Sequence, residues 1–429
     1  MKKQPTHHSD PRRSRGNVVD YPGRKRTGTG ISRARITSRT KGSTPAGKTV
    51  KKKIAPFYVW GDFDIPFLLL TLALLGFGLV MLFSASYARA YYYKDSSFYY
   101  IKKQMLYSLI GIFGMIVASF INYHWLEKFT WFLYGLSIIL CLGCYFFDPY
   151  QGARRWIYIG GFSFQPSEIG KFALILVLAH LISRDRDQMG NLWKGTIRYL
   201  VYLAGIAAVV VMQPHLSATI LLVAITVAMI YAGGGRVRHL IGVGATGMAA
   251  ISTLVFVFWD FFSDKFSHAL VRLKYWLEPF ATNDPGAYQT KQSLLAIGSG
   301  GLMGVGLGES RQKQLYLPEV QNDFVFAIVC EELGFIGASL IIILFALLIW
   351  RGYTIALHAK DSLGMLIAVG ITTHIGLQAL LNIAVVTNTI PNTGISLPMF
   401  SFGGTALCMT LAELGVLLAV SRQGVYEKE

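Results

Sequence analysis

Apolar runs separated by short polar segments make up most of this chain. Ten of them approach the length of about 20 residues that a helix needs to cross a bilayer. They lie at roughly 65–85, 105–121, 128–147, 167–182, 199–213, 215–232, 240–259, 324–350, 363–386 and 398–420. Only Gln213-Pro-His215 parts the fifth run from the sixth. A proline breaks a helix, and two polar side chains in a tight hairpin suit a turn at the membrane surface. The alternative, one long kinked segment, leaves an odd number of spans. The pattern predicts an all-α, polytopic membrane protein of about ten transmembrane helices, with a large loop, 260–323, between spans seven and eight.

Composition agrees. Apolar residues make up 53% and charged residues 15%, with a mean hydropathy of +0.45, which is well outside soluble usage. The net charge of +17 is gathered at one end: Met1–Lys53 carry sixteen Lys or Arg against two acidic residues. This stretch is rich in Gly, Ser, Thr, Pro and Arg and has no apolar period, so 1–55 is read as a disordered basic tail. It lacks the apolar core of a signal peptide. Beside a membrane domain, its charge points to anionic headgroups and to topology retention rather than to nucleic acid. Residues 56–422 form the membrane domain, and 423–429 a short second tail. The four cysteines all sit in apolar runs. Cys141-x-x-Cys144 has no second pair and no His nearby, so buried small hydrophobes are expected rather than a metal site.

Basic residues orient the spans. With the tail in the cytoplasm, the inner loops hold Arg184, Arg186, Lys194 and Arg198, then Arg236 and Arg238, then Arg351 and Lys360, then Arg422 and Lys428. Both termini are therefore expected inside and the long loop outside. Lys94, Lys102, Lys103, Arg154 and Arg155 fall outside, against the rule.

That orientation puts Asp323 at the outer surface, where the long loop becomes the eighth span. A carboxylate there borders a low-dielectric phase that can raise its pKa, which suits a general base acting on a lipid-linked substrate. The alternative is a solvated Asp capping the helix that follows. Arg154 and Arg155 present forks that match phosphate geometry, and Trp156 offers a face for a sugar ring or an interfacial anchor. Lys171 stands one turn into the fourth span, paired with either Glu168 or a phosphate. Glu331, Glu332 and Glu413 are acids inside apolar runs. His374, Gln378 and Asn382 share one helix face and are read as an interhelical hydrogen-bonding seam. The glycines between Gly298 and Gly308 follow no strand, which excludes a nucleotide loop. They are read either as a flexible loop or as a close approach to a phosphate or sugar. A short surface helix is expected at 289–297.

Several motifs stand together. They are Gly152-Ala-Arg-Arg-Trp156 with Gln165-Pro-Ser-Glu168, Tyr316-Leu-Pro-Glu319 with Asn322-Asp-Phe324 and Glu331-Glu-Leu-Gly334, and Pro391-x-Thr-Gly-x-x-Leu-Pro398 with Ser401-x-Gly-Gly404. In this order they resemble the SEDS family of cell-wall proteins (FtsW/RodA/SpoVE) over about residues 60–422. The Ser84-Ala-Ser-Tyr87 ending of the first span looks like the division member, FtsW. The chain departs from the family pattern at His215, where many relatives carry Asp, and at Asn322 and Phe402.

The resemblance implies a peptidoglycan glycosyltransferase that polymerises lipid II at the outer face of the bacterial cytoplasmic membrane, in septal synthesis. A class B penicillin-binding protein and other divisome proteins are the implied partners. Asp323 matches the family's catalytic aspartate, with Arg154, Arg155, Trp156, Lys171 and Glu319 as candidates for substrate binding. A divalent cation, Mg2+ or Mn2+, is an alternative source of positive charge, although no ligand cluster in the sequence demonstrates one. The competing readings are a lipid II transporter and a non-catalytic scaffold.

Overall fold

The computed structural model describes residue 58 and residues 61–147, 154–159, 162–213, 215–257, 271, 273–281 and 284–424. The basic tail, the last residues, Gly152, Pro214, Arg272, Asn283 and most of the start of the long loop lie outside the described residues.

In chain order the helices are α1 (Ile65–Lys94), α2 (Tyr99–Phe120), α3 (Tyr123–Gly143), α4 (Pro166–Arg184), α5 (Arg198–Met212), α6 (Leu216–Ala232), α7 (Val237–Val257), α8 (Pro285–Gly300), α9 (Val325–Leu357), α10 (Ser362–Val386) and α11 (Gly404–Gln423). A helix stands at each of the ten predicted positions, with α8 added between the seventh and eighth. Among the described residues, eight helices have the length and apolarity to cross a membrane, and α6 is shorter at 17 residues. One small exception to an all-α fold is an antiparallel hairpin, β1 (Ile157–Ile159) with β2 (Phe162–Phe164), which pairs Ile157 with Phe164 just before α4.

Two helix ends differ from the sequence pattern. α1 runs on to Lys94 instead of stopping near 85. Its start is fixed by the Asp64 side chain, which accepts from Phe67 N at 2.9 Å, and by Pro66 in the first turn. Neither Gly nor Pro interrupts its last turns, and the helix closes only at Asp95, whose φ is 53°. α11 begins at Gly404 rather than near 398. Residues 391–403 are irregular, yet their polar groups are held by protein: Phe402 N donates to Gln321 O (2.8 Å), Gln104 Nε2 to Ser401 O (3.1 Å) and Leu397 N to Ser401 Oγ (2.8 Å). Covered backbone of this kind is what a membrane tolerates.

The interior is formed by α4 and α10, each with 78% of its apolar window buried, and by α11 with 72%. α2 lies against α11 through small residues: a β-carbon on Gly415 would overlap the carbonyl of Met115, and one on Gly111 would overlap Leu411. Outward faces carry Leu109, Phe113, Phe132 and Ile139, all exposed, as a lipid-facing surface requires.

α9 is broken at Gly334, where φ is 65° and ψ −167°. The glycine loop after α8 supplies the lost backbone partners. Val305 N donates to Glu331 O (2.9 Å) and Gly306 N to Glu332 O (3.1 Å), while Phe335 N donates to Gly301 O (2.9 Å) and Ile336 N to Leu302 O (3.2 Å). The loop is therefore neither flexible nor a phosphate cradle; it splices a discontinuous helix. α8 is likewise no surface helix. It buries Ala287, Thr290, Ser293 and Ala296, and Ser293 Oγ donates to Val386 O of α10 at 2.8 Å.

The two buried acids above the break tie down the outer loop. Glu331 accepts from Ser310 Oγ and from Arg311 N at 2.9 Å. Glu332 pairs with Lys313 Nζ at 2.7 Å and accepts from Ser84 Oγ of α1 at 2.7 Å. Both carboxylates are 1% exposed, so removing either partner would strand a buried charge.

The splice is testable. A side chain on Gly304 (φ 81°) would overlap the Glu332 carbonyl, so Gly304→Ala should cost at least about 2 kcal/mol of strain and lower the melting temperature of the purified protein. Gly244→Ala in α7, where nothing lies within 4 Å, should be neutral or stabilising in the same thermal unfolding measurement.

Candidate active site

The ends of α4, α6 and α10, the loop before α9 and the irregular 391–403 segment enclose a cavity of about 160 Å³. Its wall contains Arg155, Trp156, Lys171, Glu319 and Asp323, five of the six residues singled out in the sequence. Arg154 departs from them. It is exposed, and its Nη1 donates to Tyr145 O at 3.3 Å, outside the cavity lining. Of the two arginines, only Arg155 lines the cavity.

Asp323 does not cap α9. The cap position is Phe324, and no side chain bonds there. The Asp323 backbone is clamped instead: Asn382 Nδ2 of α10 donates to Asp323 O (2.8 Å) and to Ile395 O (2.6 Å). The carboxylate is half-buried and accepts no hydrogen bond from the described residues. Its Oδ2 lies 3.3 Å from where a side chain on Gly394 would begin, and Gly394 itself has a φ of 67°. Burial pushes the pKa of Asp323 up to about 6. Arg155 pulls it down and Glu319 adds to the rise.

The other charges of the cavity are mostly paired. Lys171 Nζ lies 2.8 Å from Glu168 Oε2 and also donates to Gln378 Oε1 at 3.1 Å. The intrahelical pairing expected for Lys171 is therefore present, although both residues still line the cavity. Gln378 in turn meets His374 (3.1 Å), which pairs with Glu413 (2.9 Å), so the polar seam of α10 runs from the cavity into the bundle. Glu319 has a φ of 50° and is bound by Arg89 of α1 (2.6 Å), Asn322 (2.7 Å) and Gln321 (3.2 Å). It braces the loop rather than presenting an unengaged carboxylate.

Once these pairs are removed, Asp323 and Arg155 remain. Among the described residues Arg155 has no carboxylate at ion-pair distance, and its Nε has no acceptor. The cavity thus holds one carboxylate and one guanidinium that lack an ion-pair partner among the described residues, the two opposite demands of a transfer reaction with an anionic leaving group. No group of three or more His, Cys, Asp or Glu gathers to hold a metal ion among the described residues.

Gln165, His215 and Ser217 line the wall but were not among the site residues singled out in the sequence. Asn382, read there as part of a hydrogen-bonding seam, holds the backbone of Asp323. The polar pairs in Gln213-Pro-His215 and Gln165-Pro-Ser-Glu168 were visible, but in a linear chain they read as turn and helix-start chemistry.

Comparison with known proteins follows this geometry. Residues 66–426 match the family model described as cell cycle protein, FtsW/RodA/SpoVE. Stage V sporulation protein E of Bacillus subtilis is 39% identical, over 85% of this chain and 98% of its own length. The probable peptidoglycan glycosyltransferase FtsW of Geobacter sp. (strain M18) is 37% identical over 84% and 96%. Among solved structures, a chain described under structural coordination of polymerization and crosslinking by a peptidoglycan synthase complex superposes with a TM-score of 0.69 at 25% identity, covering 85% of this chain and 98% of that one. Rod shape determining protein RodA of Thermus thermophilus gives 0.63 at 25% identity, covering 86% and 99%. A family match across nearly all of the membrane domain, supported by the same helical fold, makes this multi-pass membrane chain a member of the FtsW/RodA/SpoVE family.

Proposed function

We propose that this chain polymerises lipid II into glycan strands at the outer face of the bacterial cytoplasmic membrane, during septal wall synthesis, beside a class B penicillin-binding protein and other divisome proteins. The peptidoglycan glycosyltransferase class follows from identities of 36–37% with proteins so named over most of the chain. Ten crossings with both termini in the cytoplasm belong to the same proposal, and the positive-inside distribution supports them.

One observation carries the mechanism: Asp323 and Arg155 are left unpaired in a shared cavity in which Lys171 and Glu319 are engaged by other charges. Asp323 takes the proton of the acceptor's GlcNAc 4-hydroxyl as that oxygen attacks the anomeric carbon of the donor's MurNAc. The bond to undecaprenyl pyrophosphate breaks with inversion, and the leaving group departs as an anion that needs charge neutralisation more than a proton. Arg155 supplies that charge, with Lys171 as a secondary contributor from its pair with Glu168. Trp156 on the wall offers a sugar-stacking face. The transporter reading is less well supported, because the intramembrane charges are already paired, Glu168 with Lys171 and His374 with Glu413.

Asp323→Asn should leave insertion and fold intact while glycan synthesis from lipid II falls by at least about 100-fold. Near-normal polymerisation by that variant, free of wild-type enzyme, would sink the mechanism. Its stability makes a second readout. The fold raises the pKa of Asp323, so the stability tied to its protonated form is full below the usual carboxylate range and is lost as pH rises through about 6. Asn escapes that loss. The variant should therefore melt at or above the wild-type temperature at neutral pH, and the advantage should vanish near pH 4.

Polymerisation by the wild type should be flat near neutrality and fall about tenfold per pH unit below about 6, as the base is protonated. An acid limb centred near pH 4 would instead describe an ordinary exposed carboxylate. The two arginines should separate kinetically. Arg155→Gln is expected to raise the KM for lipid II about tenfold, whereas Arg154→Gln stays within about twofold. Equal effects of the two substitutions would show that the charge acts only at the membrane surface.

A further inference from the structure

His215 is held in the turn between α5 and α6, is 8% exposed and lines the cavity. Its Nε2 lies 2.8 Å from Gln165 Nε2. With the amide nitrogen as donor, the ring nitrogen accepts, and the proton of the neutral imidazole belongs on Nδ1. That Nδ1 is buried and has no partner among the described residues. The same holds for Nε of Arg155 in the same wall. Ser217, the nearest hydroxyl in sequence, is already engaged with Thr393 O. Two buried N–H donors without acceptors, on two residues that line one cavity, are costly unless a ligand satisfies them.

The acceptor they suit is an oxygen bearing negative charge. Arg155 brings a positive charge with no carboxylate at ion-pair distance among the described residues, and the nearby carboxylate of Glu168 is neutralised by Lys171. The imidazole itself stays neutral. Burial pushes its pKa down to about 3, Arg155 pushing the same way. It can therefore donate at all working pH without adding a second charge or competing with Asp323 for a proton.

We propose that His215 and Arg155 form a two-donor subsite for a phosphoryl oxygen of a lipid-linked pyrophosphate, with Gln165 fixing which imidazole nitrogen carries the proton. This rests on the reading of the cavity as the polymerisation site and deepens it. His215 contacts the leaving group, while Gln165 acts only through His215 and is a positioning residue.

The test uses the full-length protein in lipid nanodiscs, carrying Asp323→Asn so that turnover does not intervene. The probes are undecaprenyl pyrophosphate and undecaprenol, which share a tail and differ in phosphate. His215→Gln keeps a polar group toward Gln165 but leaves nothing at the Nδ1 position. It should bind the pyrophosphate about tenfold more weakly and undecaprenol unchanged. His215→Asn puts an amide nitrogen near the Nδ1 position and should restore pyrophosphate binding to within about threefold. Equal affinities for His, Asn and Gln at 215, or equal losses for both variants, would overturn the subsite. If His215→Asn bound normally yet polymerised about 100-fold more slowly in the Asp323 background, His215 would be a base and the proposal wrong. If the protein with His215 in place failed to prefer undecaprenyl pyrophosphate over undecaprenol, the cavity reading itself would fall, which the comparison of variants would not show. Melting temperatures of the variants distinguish lost binding from lost fold.

Discussion

The structure depends on one requirement: backbone groups freed where α9 breaks inside the membrane domain must find new partners. At Gly334 the helix loses its own ladder, and the loop from Gly301 to Gly306 donates and accepts in its place. Unsatisfied peptide groups in a hydrocarbon phase cost several kcal/mol each, so this splice is obligatory rather than decorative. It also decides where the outer half of α9 stands. Residues Val325–Glu332 are all buried, and the chain just before them carries Asp323.

The same region shows how buried charge serves geometry. Glu331 holds the 310–312 turn and Glu332 holds Lys313 and Ser84, so the loop that ends in Asp323 is fixed to α9 and α1 at once. Glu319 repeats the device with Arg89 nearer the cavity. Buried ion pairs of this type add little net stability, because desolvation offsets most of their attraction. What they specify is a single arrangement. Every acid that is spent on architecture leaves Asp323 more isolated, and isolation together with burial raises its pKa into the range useful for a base near neutrality.

The cavity therefore obtains its chemistry by subtraction. Its wall is drawn from the hairpin strand β2, the starts of α4 and α6, the loop before α9, the outer end of α10 and the segment before α11. Charges within an element pair first, as Lys171 does with Glu168 one turn apart. Charges brought together only by folding pair next, as Arg89 does with Glu319. Those left over among the described residues are Asp323 and Arg155, the pair on which the proposed mechanism rests. Neutral groups such as Asn382 and Gln165 then fix atoms rather than supply charge.

Much of this was legible in the chain alone. Ten apolar runs placed ten helices because a hydrocarbon phase demands long apolar segments whatever their neighbours are. Asp323, Arg155, Trp156 and Lys171 could be singled out because polar residues at the edge of such runs are expensive and stand out, while Glu319 was marked only by the family motif. What the sequence could not decide was partnership. Arg154 and Arg155 are adjacent and chemically equal, and only the fold puts one of them in the cavity wall. Glu331 and Glu332 looked like candidate intramembrane acids until their partners, 19 or more residues away in sequence, came into contact. The glycines after α8 read as a flexible loop, because the broken helix that they complete lies some 30 residues further on. Local hydrophobicity is a one-dimensional property and survives in the sequence. Pairing and the pKa it sets depend on which distant atoms share a low-dielectric space, and that is decided only when the helices pack.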